Sequence, residues 1–170
     1  MGIFSWFWPF QSKLEVQSRD IVIDLSGFLC GRSALGETLS EEDTYSKHFA
    51  HQDVFVSEEQ GLEIGTTENK LAYVFLTIGP FQGTFLYKKS AVIFTQNTTP
   101  EEVQKVLGEP YWKDEKEDEL ILFYEDGRVE LQFEFPNKSR LGFVTMMIDP
   151  IMAKPEQRKA YGVTKPWPPQ

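Results

Sequence analysis

The chain has 170 residues, is 41% hydrophobic and 14% aromatic, and carries a net charge of −9. That length and apolar content suffice for a buried core and exclude wholesale disorder. A lone cysteine, Cys30, excludes an intramolecular disulfide framework and points to a reducing compartment, while the acidic balance disfavours direct nucleic-acid binding, which needs clustered Lys and Arg.

The stretch 3–10, with Ile3, Phe4, Trp6, Phe7, Trp8 and Phe10, opens an aromatic arm over 1–18. It lacks the basic start and small-residue cleavage site of a secretory signal, since the first basic residue is Lys13. It is too short to span a bilayer, and Ser5 stands one position early for a myristoylation motif. The expectation is an arm that docks on the domain or on a partner. Shallow membrane-surface contact through residues 3–10 is the alternative, weakened by the missing basic face.

Over 19–80, Ile21-Val22-Ile23 reads as a strand, and Cys30 follows Phe28 and Leu29 as a small buried thiol. Leu35-Gly36-Glu37 comes next, and Ser40-Glu41-Glu42-Asp43 reads as a helix start. A short strand at Val54-Phe55-Val56, a turn over 57–61 and Leu62-Glu63-Ile64 lead to a strong strand over 71–78. His48 and His51 share a helical face near Asp53, but no third metal ligand accompanies them.

Over 81–148 the pattern is clearer. A strand over 84–87, a Lys88-Lys89 turn and a strand over 91–95 precede Thr99-Pro100-Glu101-Glu102, in which Thr99 caps a helix, Pro100 takes its first position and Glu102 closes a capping box. Val103, Val106 and Leu107 share one face, and Gly108 with Pro110 stops the helix. Strands over 119–124 and 129–135 flank an Asp126-Gly127 hairpin signal. In the second of these, Val129, Leu131, Phe133 and Phe135 alternate with Glu130, Gln132 and Glu134, which puts the four apolar residues on a single face. A turn at Pro136-Asn137-Lys138-Ser139 leads to a strand over 141–148. From 149 to 170 the prolines exclude a sheet interior and indicate a tail.

Two features recur. Leu35-Gly36-Glu37 precedes the Leu71 strand by 36 residues, and Leu107-Gly108-Glu109 precedes the Leu141 strand by 34, a fixed-period self-similarity that predicts a duplicated unit. Acidity recurs with it: segment 37–63 holds eight acidic residues against one basic, and 101–135 twelve against four. The predicted fold is α+β, two similar units, each a small antiparallel β-meander with one short helix, packed as one body.

No nucleophile–base pair, phosphate loop or metal set is legible, so the expectation is a protein without catalytic residues, cofactor or metal. Carboxylates in a run stay solvated unless something buries them. The run Asp114, Glu115, Glu117, Asp118 and Glu119, with Tyr111 and Trp112 beside it, reads as the first candidate partner-binding surface, and Glu41, Glu42 and Asp43 as the second. Acidic residues steer and register a basic partner, and aromatics supply anchoring area.

From Thr99 through Leu107-Gly108-Glu109-Pro110, Tyr124-Glu125-Asp126-Gly127 and on to the Leu141 strand, the sequence resembles SmpA/BamE-like repeats, in which a threonine-capped helix ending in Leu-Gly-x-Pro leads into a β-meander. Tandem divergent copies in a small acidic protein beginning Met1-Gly2-Ile3-Phe4 resemble the immunity proteins that bacteria encode beside polymorphic or type VI-secreted toxins. The resemblance implies a cytoplasmic protein that occludes a cognate toxin carrying a basic active-site cleft. It covers 19–148; the first copy lacks both Pro after Leu-Gly-Glu and a capped helix before it. The family's outer-membrane members carry a lipobox cysteine that this chain lacks, so their periplasmic role is not implied. A membrane-peripheral structural or assembly protein anchored by the aromatic arm is the rival expectation.

Overall fold

The computed structural model describes residues 16–166. The arm over 3–10 lies outside the described residues, and so does any docking or membrane contact it makes. The fold is α+β and mostly sheet, with few short helices. Its strands are β1 (Val22–Asp24), β2 (Leu29–Cys30), β3 (Ser33–Ala34), β4 (Val54–Ser57), β5 (Leu62–Thr67), β6 (Lys70–Thr77), β7 (Thr84–Tyr87), β8 (Ser90–Val92), β9 (Trp112–Glu115), β10 (Glu119–Asp126), β11 (Val129–Pro136) and β12 (Phe143–Ile148). Two α-helices, α1 (Pro100–Leu107) and α2 (Pro155–Ala160), complete the set.

The strands form a five-stranded sheet in the order β3-β2-β1-β7-β8 and a seven-stranded sheet in the order β4-β5-β6-β12-β11-β10-β9. Every pairing is antiparallel except β1 with β7. Each sheet draws strands from both halves of the chain. The meander β4-β5-β6 meets β12 edge to edge, with Val74 opposite Met146 and Leu76 opposite Val144. The hairpins of the other sheet meet where Ile23 lies opposite Phe85.

Local sequence explains most of these elements. Thr99 Oγ1 accepts from Glu102 N at 3.3 Å and Glu102 Oε2 accepts from Thr99 N at 2.9 Å, so the capping box forms as the residues dictate. Gly108 leaves the helix at φ 87°, a conformation a side chain would resist. A helix of 8 residues is marginal alone, and fully buried Val103 anchors it on the core. The β10–β11 loop is Gly127-Arg128, since Asp126 still pairs with Val129; Gly127 takes the positive φ of 57° and Asp126 does not.

Two local expectations fail. Ser40 to Asp43 starts no helix: the chain turns there, and a 3₁₀ turn forms only at Ser46–Ala50. The two Leu-Gly-Glu motifs also do different work. Gly36 N donates to Leu71 O and Leu71 N to Glu37 O, so the first motif lies along the start of β6, whereas the second ends α1. What they share is a positive φ at glycine, 81° at Gly36 and 87° at Gly108.

The core lies between the sheets. Ile23, Leu25, Cys30 and Phe85 of the smaller sheet's side meet Ile64, Leu71, Val74, Leu76, Leu122, Phe133, Val144 and Met146 of the larger. Phe81, Phe85, Phe94, Phe133 and Tyr124 run through it in successive edge-on contacts, with centroids 5.3–5.9 Å apart, a geometry that adds to area burial.

The opposite face of the larger sheet departs from simple alternation. Glu130 and Gln132, the polar members of the alternation, are 0% and 6% exposed: the proline-bearing segment after Asp149 folds back so that Met152 N donates to Glu130, which also accepts from Gln132. Its prolines do keep it out of the sheet, but it carries a 3₁₀ turn (Ile151–Ala153) and α2. Met152, fully buried, forms a second small core with Ile121 and Phe123, packed by Tyr111, Trp112, Tyr161 and Val163.

Candidate functional site

The first acidic run forms the β9–β10 hairpin at one edge of the larger sheet. Lys116 N donates to Glu119 O at 2.9 Å and closes the turn. Lys116 Nζ pairs with Asp114 at 3.2 Å and Glu119 at 3.3 Å, and Lys138 Nζ with Glu115 at 3.1 Å. Asn137 N donates to Asp118 O at 2.7 Å, tying the tip to the β11–β12 turn. Glu115, Glu117 and Asp118 are exposed; Asp114 and Glu119 are half-buried. Pairing raises the Lys116 ammonium above its usual range, through Asp114 first and then Glu119. The result is a pinned, negatively charged tip, and charged residues on an edge strand also discourage unwanted strand pairing.

Tyr111 and Trp112 do not stand beside this tip as free anchors. Trp112 lies opposite Phe123 in the β9–β10 register and packs in the small second core. Tyr111 donates its hydroxyl to Pro166 O, while Lys165 donates to Tyr111 O at 2.7 Å and sits 5.3 Å from its ring centroid. Both aromatics therefore bind the C-terminal segment.

The second acidic candidate divides. Glu41 and Glu42 are exposed, Glu42 in an ion pair with Arg32. Asp43 is 7% exposed and faces inward, accepting from Arg32 N, Ser33 Oγ and the Tyr45 hydroxyl. That network corrects the reading of Asp43 as a surface charge: a short carboxylate inside a tight turn satisfies donors that water cannot reach. The single Tyr45 hydroxyl proton is shared between Asp43 and Cys30 O. Burial first, with the nearby Asp43 charge adding, pushes the Cys30 thiol up to about 12, so it is no ready nucleophile.

The structure does not unite the two acidic segments. The first hairpin is tied to the turn beside Phe143, which pairs with Thr77 at one end of β6. The second adjoins Thr38, which bridges Lys70 at the other end. Along β6 that is roughly 23 Å.

His48 stacks on Phe55 with centroids 4.5 Å apart, and among the described residues no group of three or more metal-ligating side chains occurs. A cavity of about 300 Å³ opens between the sheets, lined by Leu25, Ser26, Phe28, Tyr87, Lys88, Leu107, Tyr124, Glu125, Asp126 and Leu131. Its lining is mixed, apolar at Leu25, Phe28, Leu107 and Leu131 and charged at Lys88, Glu125 and Asp126. Among the described residues, no helix is long and apolar enough to cross a membrane.

Charged groups that sequence reasoning passed over lie under the C-terminal segment. Glu130 accepts from Gln132 Nε2 at 2.6 Å and Met152 N at 3.3 Å, and burial raises its carboxyl despite these bonds. Glu125 lies opposite Glu130 across the ladder. The only signal for this arrangement was the apolar set Ile151, Met152, Tyr161 and Val163 in a stretch otherwise rich in proline and charge.

No family model matches the sequence, and no curated protein matches it. Among solved structures, the chain is similar to the crystal structure of a DUF4309 family protein (YjgB) from Bacillus subtilis subsp. subtilis str. 168, at 16% identity and a TM-score of 0.38, over 68% of this chain and 73% of that one.

Proposed function

We propose that this chain is a non-enzymatic binding protein of the immunity type, which neutralises a cognate bacterial toxin in the cytoplasm by placing an acidic surface in the toxin's basic active-site cleft. The observation that carries the reading is the β9–β10 tip. Glu115, Glu117 and Asp118 are exposed on a hairpin held by Lys116, Lys138 and Asn137. A charged tip fixed in advance loses little freedom on binding, and its field speeds encounter with a basic partner. Glu41 and Glu42 form a separate patch that a single small cleft would not cover together with the tip.

We also propose that the two halves are divergent copies of one unit, as the resemblance to SmpA/BamE-like repeats implies. Supporting this, each half runs hairpin, short helical element, then antiparallel meander, and the meanders join at β6 and β12.

The test is titration against the toxic domain encoded beside this chain's gene, at two salt concentrations. Replacing Glu115, Glu117, Asp118 and Glu119 with Gln should weaken binding by about 10-fold to 100-fold and flatten its salt dependence. Unchanged affinity and an unchanged salt slope would refute the surface assignment.

A further inference from the structure

Among the described residues, the buried side-chain atoms without a hydrogen-bond partner are Trp112 Nε1, Asp114 Oδ2, Glu125 Oε1 and Oε2, and Arg158 Nε. Asp114 Oδ2 does have the ion pair to Lys116; the others have no polar contact of that kind. All of them belong to β9, β10 or α2, on the face covered by the C-terminal segment or in the helix that covers it. Buried polar groups are usually paired within a protein interior, and those without a protein partner gather at this one contact. The contact is also small, since its buried apolar members are Ile121, Phe123 and Met152, and small contacts with few buried apolar groups open before a main core does.

The charges there give the opening a trigger. Glu125 and Glu130 are direct cross-strand partners, a placement that disfavours two negative charges. Glu130 accepts from Gln132 and Met152 N, which partly offset the burial that raises its carboxyl, whereas neither oxygen of Glu125 has a donor. Other charged or titratable groups near Glu125 are Lys165 from the segment above, Tyr111 just before β9 with Arg158 beside it, and Lys88, Asp126, Tyr87 and Tyr124, which share the lining of the cavity that Glu125 also borders.

We propose that residues 150–166 are a pH-released strap: ionisation of Glu125, opposite Glu130 and beneath the strap, loosens it and bares the Ile121, Phe123 and Trp112 face. Burial first, then the Glu130 charge, raises the Glu125 carboxyl from 4.5 to about 8, with Lys165 opposing. An acid raised in the closed state favours closure fully below its open-state value. That contribution declines as pH rises and is lost once pH passes about 8.

The experiment is hydrogen exchange of the α2 amides in the full chain between about pH 6 and pH 9, corrected for intrinsic rates, with β12 amides as the internal reference. Protection of α2 should fall on the order of tenfold, beyond any change in β12. Glu125→Gln should remove that dependence. Lys165→Met, which deletes a strap cation on an exposed side chain, should move the midpoint to higher pH. A flat wild-type profile, a wild-type-like profile in Glu125→Gln, or an unmoved midpoint in Lys165→Met would each overturn the proposal.

Discussion

The two faces of the seven-stranded sheet are built on opposite principles. The inner face is apolar and mates with a second sheet, so Phe133, Val144, Met146, Val74 and Leu76 are all fully buried. The outer face buries Glu130, Gln132 and Thr145 alongside Phe123, under a strap that leaves several polar atoms unpaired. Continuous apolar packing yields a contact that fails only with the whole fold. A mixed contact needs every polar group satisfied to hold as firmly, and this one does not meet that condition.

Substitutions can break or sharpen that contrast. Phe133→Ala on the inner face should cost about 3–5 kcal/mol, read as a lowered urea midpoint at unchanged slope; a loss under about 1 kcal/mol would mean the faces do not differ as described. Met152→Ala on the outer face should cost about 2 kcal/mol, at the low end for a buried methionine, and should raise exchange in α2 more than in β12. Equal changes in both would show the strap to be part of the main cooperative unit.

Smaller effects follow at the surface. Thr99→Ala removes the acceptor for Glu102 N and should cost about 1 kcal/mol, measurable by thermal unfolding, with Thr99→Ser recovering most of it. Replacing Glu115, Glu117, Asp118 and Glu119 with Gln should change stability by only about 0.5 kcal/mol per site or less, because exposed ion pairs contribute little. A large loss there would assign the acidic tip to the fold and remove its availability for a partner.

The legible parts of the molecule were those governed by near neighbours. Thr99 and Glu102 lie within one turn of each other, so their reciprocal bonds follow from spacing. Lys88-Lys89 and Asn137-Lys138 were recognisable as turns, and each pair does adopt positive φ. The burial of Glu130 was not legible because alternation marks two faces and not what lies above each; the cover comes from residues more than twenty positions later. Asp43 was misplaced for the same reason, since its donors at Arg32 and Ser33 come from the β2–β3 hairpin ten or so residues earlier. The acidic tip was legible as charge, yet its pinning by Lys138 and Asn137 was not.

The sequence alone therefore determined composition class, the capped helix, the hairpins and the sign of the exposed charge, because each depends on contacts a few residues apart. Tertiary structure decided which strands from the two halves would share a sheet, which carboxylates would be buried, and that the proline-rich end would lie over Glu125 and Glu130. Those outcomes depend on competition among distant surfaces for burial, and local pattern records only that a surface is apolar, not what will cover it.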